Sequence, residues 1–171
     1  MRVIAMVVVA FALAGTASAT SRSPQQVEFE AKRLALRAET NQCRVELGRP
    51  PFGISDRPIV SHAYRQWVTR LWTWRRAAVC GRLARVQADP RAAICLVFGS
   101  RCQEALRVAQ CESRFDVNAR NGQYRGTFQM GDWERATYGH GSTTLAQARA
   151  AHRYFVAAGS DWSPWSCKPW Y

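Results

Sequence analysis

Apolar residues recur at helical spacing through most of this chain. Val27, Ala31, Leu34, Ala38 and Val45 form one stripe, which predicts a helix running to Leu47. Ahead of it, Ser23, Pro24 and Gln26 offer a cap, a proline at the first helical position and a capping-box glutamine. Gly48-Arg49-Pro50-Pro51 stops that helix, and a connection rich in Pro, Gly and Ser runs to about Pro58. A second long helix follows, with Val60, Tyr64, Trp67, Leu71, Trp74 and Ala78 as its expected packing stripe. Asp89-Pro90 opens a short helix carrying Ile94, Val97 and Phe98, which Gly99 ends. Gln103 to Arg114 reads as a further helix. Asn121-Gly122 is a tight-turn dipeptide and predicts a small hairpin. Asp132 can cap a helix through Ala136, and Thr144 with Gln147 form a capping box before a helix that Gly159 terminates. The predicted fold class is mainly α, with one small β-hairpin. A pair of long helices occupies 20–89 and a second domain 90–171, with the boundary near Asp89.

The first residues follow a different pattern. Arg2, the apolar run from Val3 to Ala14, and Ala17-Ser18-Ala19 match the three regions of a secretory leader. The run is shorter than the roughly 20 apolar residues of a membrane span. Residues 1–19 are therefore read as a signal peptide, and the chain as exported without stable membrane insertion.

Charge and cysteine content sharpen the picture. The 171 residues carry a formal charge of +12, which falls to +11 once Arg2 leaves with the leader. Such an excess attracts polyanions: nucleic acid, acidic membrane surfaces or anionic cell-wall polymers. Export weighs against nucleic acid. Residues 20–89 hold 13 Lys+Arg against 6 acids, and arginine alternates with aromatics from Arg65 to Arg76. That face reads as helix packing with solvated arginines, or as electrostatic retention on wall polymers. Six cysteines in an exported chain indicate disulfides. No Cys-x-x-Cys is present, and His62, His140 and His152 lack metal-ligand spacing, so no metal and no cofactor is expected. A local clamp from Cys95 to Cys102 would bridge the turn between two helices.

Glu112 is the candidate for chemistry. Ala105, Val108, Ala109 and Glu112 fall at i, i+3, i+4 and i+7 on one helical face, which puts a carboxylic acid at the end of an apolar stripe. Desolvation there raises a carboxyl pKa, as a general acid working near neutral pH requires. Asp116, Asp132 and Glu134 read as turn, cap and helix-dipole residues rather than as a second catalytic carboxylate. Nucleophile-elbow, phosphate-loop and zinc-helix motifs are absent.

Three blocks in order then carry a resemblance: Cys111-Glu112-Ser113, Asn121 to Gly126 leading to Gln129, and Asp161-Trp162-Ser163-Pro164-Trp165-Ser166-Cys167. Over about 94–170, some 45% of the chain, the sequence resembles the lysozyme-like superfamily. The similarity is to secreted actinobacterial lytic transglycosylases and resuscitation-promoting-factor domains. That resemblance implies an α+β lysozyme-like domain that cleaves peptidoglycan glycan strands. Glu112 would be the sole acid/base, Gln129 would line the cleft and Ser113 would border the sugar. Tyr124 and Tyr154 are candidate sugar-stacking aromatics, each also readable as core or rim. It also implies a Cys111–Cys167 bond. Cys43 and Cys80 remain. In an antiparallel helix pair they lie far beyond the ~7 Å reach of a disulfide. They meet only if the helices run parallel and the connection doubles back, and the balance falls narrowly against the bond. A non-catalytic wall-binding module is the rival reading.

Overall fold

The computed structural model describes residues 22–53, 59 and 61–170. The expectations for residues 1–19 and for Val60 fall outside that set. The described residues form six α-helices, one 3-10 turn and one two-stranded antiparallel sheet, a mainly α architecture. The helices are α1 (Pro24–Glu46), α2 (His62–Ala88), α3 (Pro90–Phe98), α4 (Cys102–Ser113), α5 (Asp132–Tyr138) and α6 (Thr144–Ala157); strands β1 (Arg120–Asn121) and β2 (Tyr124–Arg125) lie between α4 and α5.

Helix α1 starts as its sequence dictates, the Ser23 hydroxyl accepting from the Gln26 N–H at 3.3 Å with Pro24 behind it. Its packing face is not the predicted one. Val27, Leu34 and Val45 are more than half exposed. The helix instead turns Phe29, Arg33, Leu36, Thr40, Cys43 and Leu47 inward, at alternating spacings of four and three. That set is offset by two residues from the predicted stripe, about 200° around the helix. Arg33 and Thr40 disguise it. Their polar atoms are satisfied locally, Arg33 by Glu30 at 2.6 Å and the Thr40 hydroxyl by donating to Leu36 O at 2.6 Å. The stripe expected on α2 is likewise displaced: Tyr64, Trp67 and Trp74 are exposed, while Val68, Trp72, Leu83 and Val86 are buried.

The pair runs parallel. Contacts climb both helices together: Glu39 with Arg76 at 2.8 Å, Cys43 bonded to Cys80 with α-carbons 5.3 Å apart, Glu46 with Gln87 at 3.4 Å. The connection doubles back along α1, where the Phe52 N–H donates to Asn41 Oδ1 at 2.8 Å and Ile59 packs beside Phe29. The expectation against a Cys43–Cys80 bond is thus overturned. It rested on antiparallel packing, and the returning connection removes that premise. Cys95–Cys102 and Cys111–Cys167 are also paired, with α-carbons 4.5 and 5.9 Å apart.

Asp89 separates α2 from α3 and caps the latter, its carboxylate accepting from the Arg91 N–H at 2.9 Å. Residues from both sides of this boundary share one cluster: Leu47, Leu83 and Val86 with Ala93 and Leu145. The main core lies beyond it. The Phe98 ring sits 5.6 Å from Phe128, 5.4 Å from Trp162 and 6.0 Å from Phe155. Truncating such a ring to alanine costs about 3–5 kcal/mol.

Three local expectations shift by one residue. The hairpin pairs Asn121 with Tyr124, so Gly122-Gln123 is its loop, and Gly122 takes the positive φ of 57° that the turn needs. Gly131, not Asp132, is the N-cap of α5; Asp132 pairs with Arg135 within the first turn. Thr143, not Thr144, caps α6 by accepting from the Ala146 N–H at 3.2 Å.

Candidate active site

Glu112 is the penultimate residue of α4, whose apolar stripe Ala105, Val108 and Ala109 is fully buried. The half-buried carboxylate emerges where that stripe meets the surface. Its Oε1 accepts from the Cys167 N–H at 2.9 Å, and the neighbouring Cys111–Cys167 bond ties the same tail to the same helix. One contact orients the acid and one covalent link fixes the donor.

A cleft of about 260 Å³ opens beside it, lined by Glu112, Tyr124, Gln129, Glu134, Tyr154 and Trp165 among others. The hairpin and the turn after it build one wall. Gly126 has φ +77°, and a Cβ there would lie 2.7 Å from His140 Cε1, so a side chain has no room. The turn closes when the Gln129 N–H donates to Gly126 O at 3.0 Å and its side-chain Nε2 donates to the same oxygen at 2.9 Å. The Gln129 Oε1 makes no hydrogen bond within the described residues, so it is an acceptor available to a ligand. Gln129 itself holds φ 45°, a strained value of the kind that clusters at functional sites.

The opposite wall is aromatic. Trp165 is buried and donates its indole N–H to Phe128 O at 3.0 Å, which locks the tail against the hairpin segment. Tyr154 packs on Trp165 with centroids 5.0 Å apart and stacks on Tyr138 at 5.1 Å. Burial, then the nearby Glu134 carboxylate, hold the Tyr154 hydroxyl pKa above its ordinary value, so it stays a protonated donor at neutral pH.

Four of the five sequence candidates, Glu112, Gln129, Tyr124 and Tyr154, thus line a single cleft. Ser113 does not line it. Its hydroxyl is engaged behind the wall, where it donates to Thr127 O at 2.8 Å and lies 3.3 Å from Ala109 O, joining the end of α4 to the turn. Sequence reasoning set Glu134 aside as a helix-dipole charge, yet it lines the cleft, and its carboxylate makes no hydrogen bond or ion pair among the described residues. Its distance from Glu112 in sequence hid this. The signal was its place one turn after the Gly126–Met130 segment, on a helix that segment introduces. Asp116 forms an Asx turn with the Asn118 N–H at 2.8 Å, and Asp132 pairs with Arg135. Among the described residues no group of His, Cys, Asp and Glu is placed to hold a metal ion.

The arrangement suits acid/base work on a polar substrate. It offers a fixed carboxyl group, an amide acceptor, tyrosine hydroxyls and flat aromatic faces in one concave site. No family model, curated protein or solved structure matches the chain.

Proposed function

We propose that this chain is an exported peptidoglycan-cleaving glycosidase with a lysozyme-like domain. It acts on the β-1,4 bond between N-acetylmuramic acid and N-acetylglucosamine, with Glu112 as general acid/base. The observation that carries the reading is the convergence on one cleft of Glu112 from the first block of the resemblance, Tyr124 and Gln129 from the second and Trp165 from the third, with Tyr154 beside them. In the first step the Glu112 carboxyl protonates the glycosidic oxygen as the bond to the muramyl C1 breaks. In the second, the muramyl C6 hydroxyl attacks C1 and gives its proton back to the Glu112 carboxylate. A single carboxylate suffices for this lytic transglycosylation.

Glu134 favours a second reading for the same cleft, simple hydrolysis. An unpaired carboxylate that lines the same cleft as a general acid can activate a water for attack on the sugar. Fragment analysis of digested sacculi distinguishes the two. Glu112→Gln keeps the shape of the side chain but neither donates nor accepts the proton. It is expected to lower fragment release at least about 10²-fold at unchanged circular dichroism. Gln129→Ala should lose less, because the proton donor survives. If transglycosylation is the reaction, Glu134→Gln still yields 1,6-anhydro ends; if hydrolysis is, reducing ends disappear with it. An undiminished Glu112→Gln protein would overturn the catalytic assignment, and a wild-type chain that binds sacculi without cutting them would point to a binding module.

A further inference from the structure

The exposed aromatics of α2 border a second concavity. A groove of about 580 Å³ is lined by α1, by α2 and by Gly53 and Ile59 between them in sequence. Tyr64 and Trp67 form one edge, half exposed and stacked on each other with centroids 5.4 Å apart and planes at 13°. Arg33, Arg37 and Arg75 supply its charge, and among the described residues no acidic residue lines it. Arg33 is paired with Glu30, but among the described residues the other two have no carboxylate partner. Arg75 lies 4.8 Å from the Phe52 ring centroid and 5.0 Å from that of Trp72. Arg37 Nε is buried without a hydrogen-bond partner, its Nη2 reaching only Phe52 O at 3.4 Å. A buried donor of this kind is costly unless a ligand meets it.

We propose that this groove is a second carbohydrate site, which holds a carboxylate-bearing stretch of glycan. Stacked aromatic faces accept the C–H faces of pyranose rings, and guanidinium forks match carboxylates in bidentate pairs. The recess favours a narrow chain over a flat bilayer, since the Arg33 side chain is only 18% exposed. Three disulfides favour an oxidising compartment, where free nucleic acid is scarce. The choice of glycan rests on the reading of the cleft: both sites would grip one polymer. Trp67 lies sixteen residues before Leu83, where α2 meets the second segment, about 24 Å along the helix. Two linked sites on a repeating polymer gain avidity of roughly 10²–10⁴ over either alone.

Co-sedimentation of the full chain with sacculi stripped of phosphate-bearing polymers tests this at 0.15 M salt. Trp67→Ala and Arg37→Gln should each weaken retention at least about tenfold, with melting temperature and cleavage of short soluble glycan fragments unchanged. Trp74→Ala is the control, since Trp74 is 67% exposed on the same helix but does not line the groove. Retention that survives both groove variants overturns the proposal. So does equal loss in all three variants together with binding to phosphatidylglycerol vesicles, which indicates a bilayer surface. Retention that requires the phosphate polymers, or a single-stranded oligonucleotide bound as tightly through the same residues, also overturns it. Fragment release by Glu112 is read separately, so failure of the cleft reading and failure of the groove do not mimic each other.

Discussion

Gln147 is 2% exposed and holds the back of the cleft together. Its Oε1 accepts from the Thr127 N–H at 2.7 Å, and its Nε2 donates to Val117 O at 3.0 Å and Gly141 O at 3.1 Å. His140 Nε2 lies 3.3 Å from the same Nε2, and a neutral imidazole can accept there. Protonation would set one donor against another. Burial, followed by the Arg135 and Arg125 charges, holds the His140 pKa below its ordinary 6.5. A histidine depressed in the folded state binds its proton more readily when unfolded, so stability is full above pH 6.5 and declines as pH falls below it. Thermal melting between pH 7 and 5 should show that decline in the wild type and a shallower one in His140→Gln. Equal slopes would remove His140 as the cause. The sequence showed Gln147 only as a capping glutamine, because hydrogen bonds across 20 and 30 residues leave no local pattern. The place of Glu112 at the end of a buried stripe was readable for the opposite reason: that stripe is local to α4.

Helix boundaries were legible because capping is local chemistry. Ser23, Asp89 and the glycines Gly48, Gly99 and Gly159 act within one turn of themselves. Which face of α1 packs was not legible. Two stripes at heptad-like spacing lie on opposite sides of the helix, and the more apolar one is exposed. The buried stripe is chosen by the disulfide, by Trp72 and by the returning connection, all distant in sequence. Replacing Cys43 and Cys80 together with serine should therefore loosen the parallel pair. The 37-residue separation corresponds to about 4 kcal/mol of loop entropy, an upper figure for the loss. Chemical denaturation should show a lower midpoint, and non-reducing peptide maps of the wild type should show the 43–80 peptide pair. Two free thiols in the unfolded, unreduced protein would contradict the arrangement.

The two segments are not independent bodies. Leu83 and Val86 pack against Ala93 and Leu145 across the Asp89 boundary, and the Arg149 guanidinium of α6 donates to Glu46 O at the end of α1. Leu83→Ala, placed in the first segment, should lower the melting temperature of the whole chain, with a loss of about 2–5 kcal/mol. Calorimetry should give one transition; two separate ones, with only the first moved by Leu83→Ala, would contradict the shared core. The Asp89-Pro90 signal marked the break between α2 and α3 but carried no sign of this coupling, since small and aliphatic residues such as Ala93 and Leu145 fit any core. The disulfides have a further consequence. They join the first cysteine to the second, the third to the fourth and the fifth to the sixth, so no covalent loop interleaves with another. A chain that emerges amino-terminus first presents each cysteine just before its partner. Every correct bond can close before the next pair appears, and oxidative folding needs little reshuffling to reach the native set.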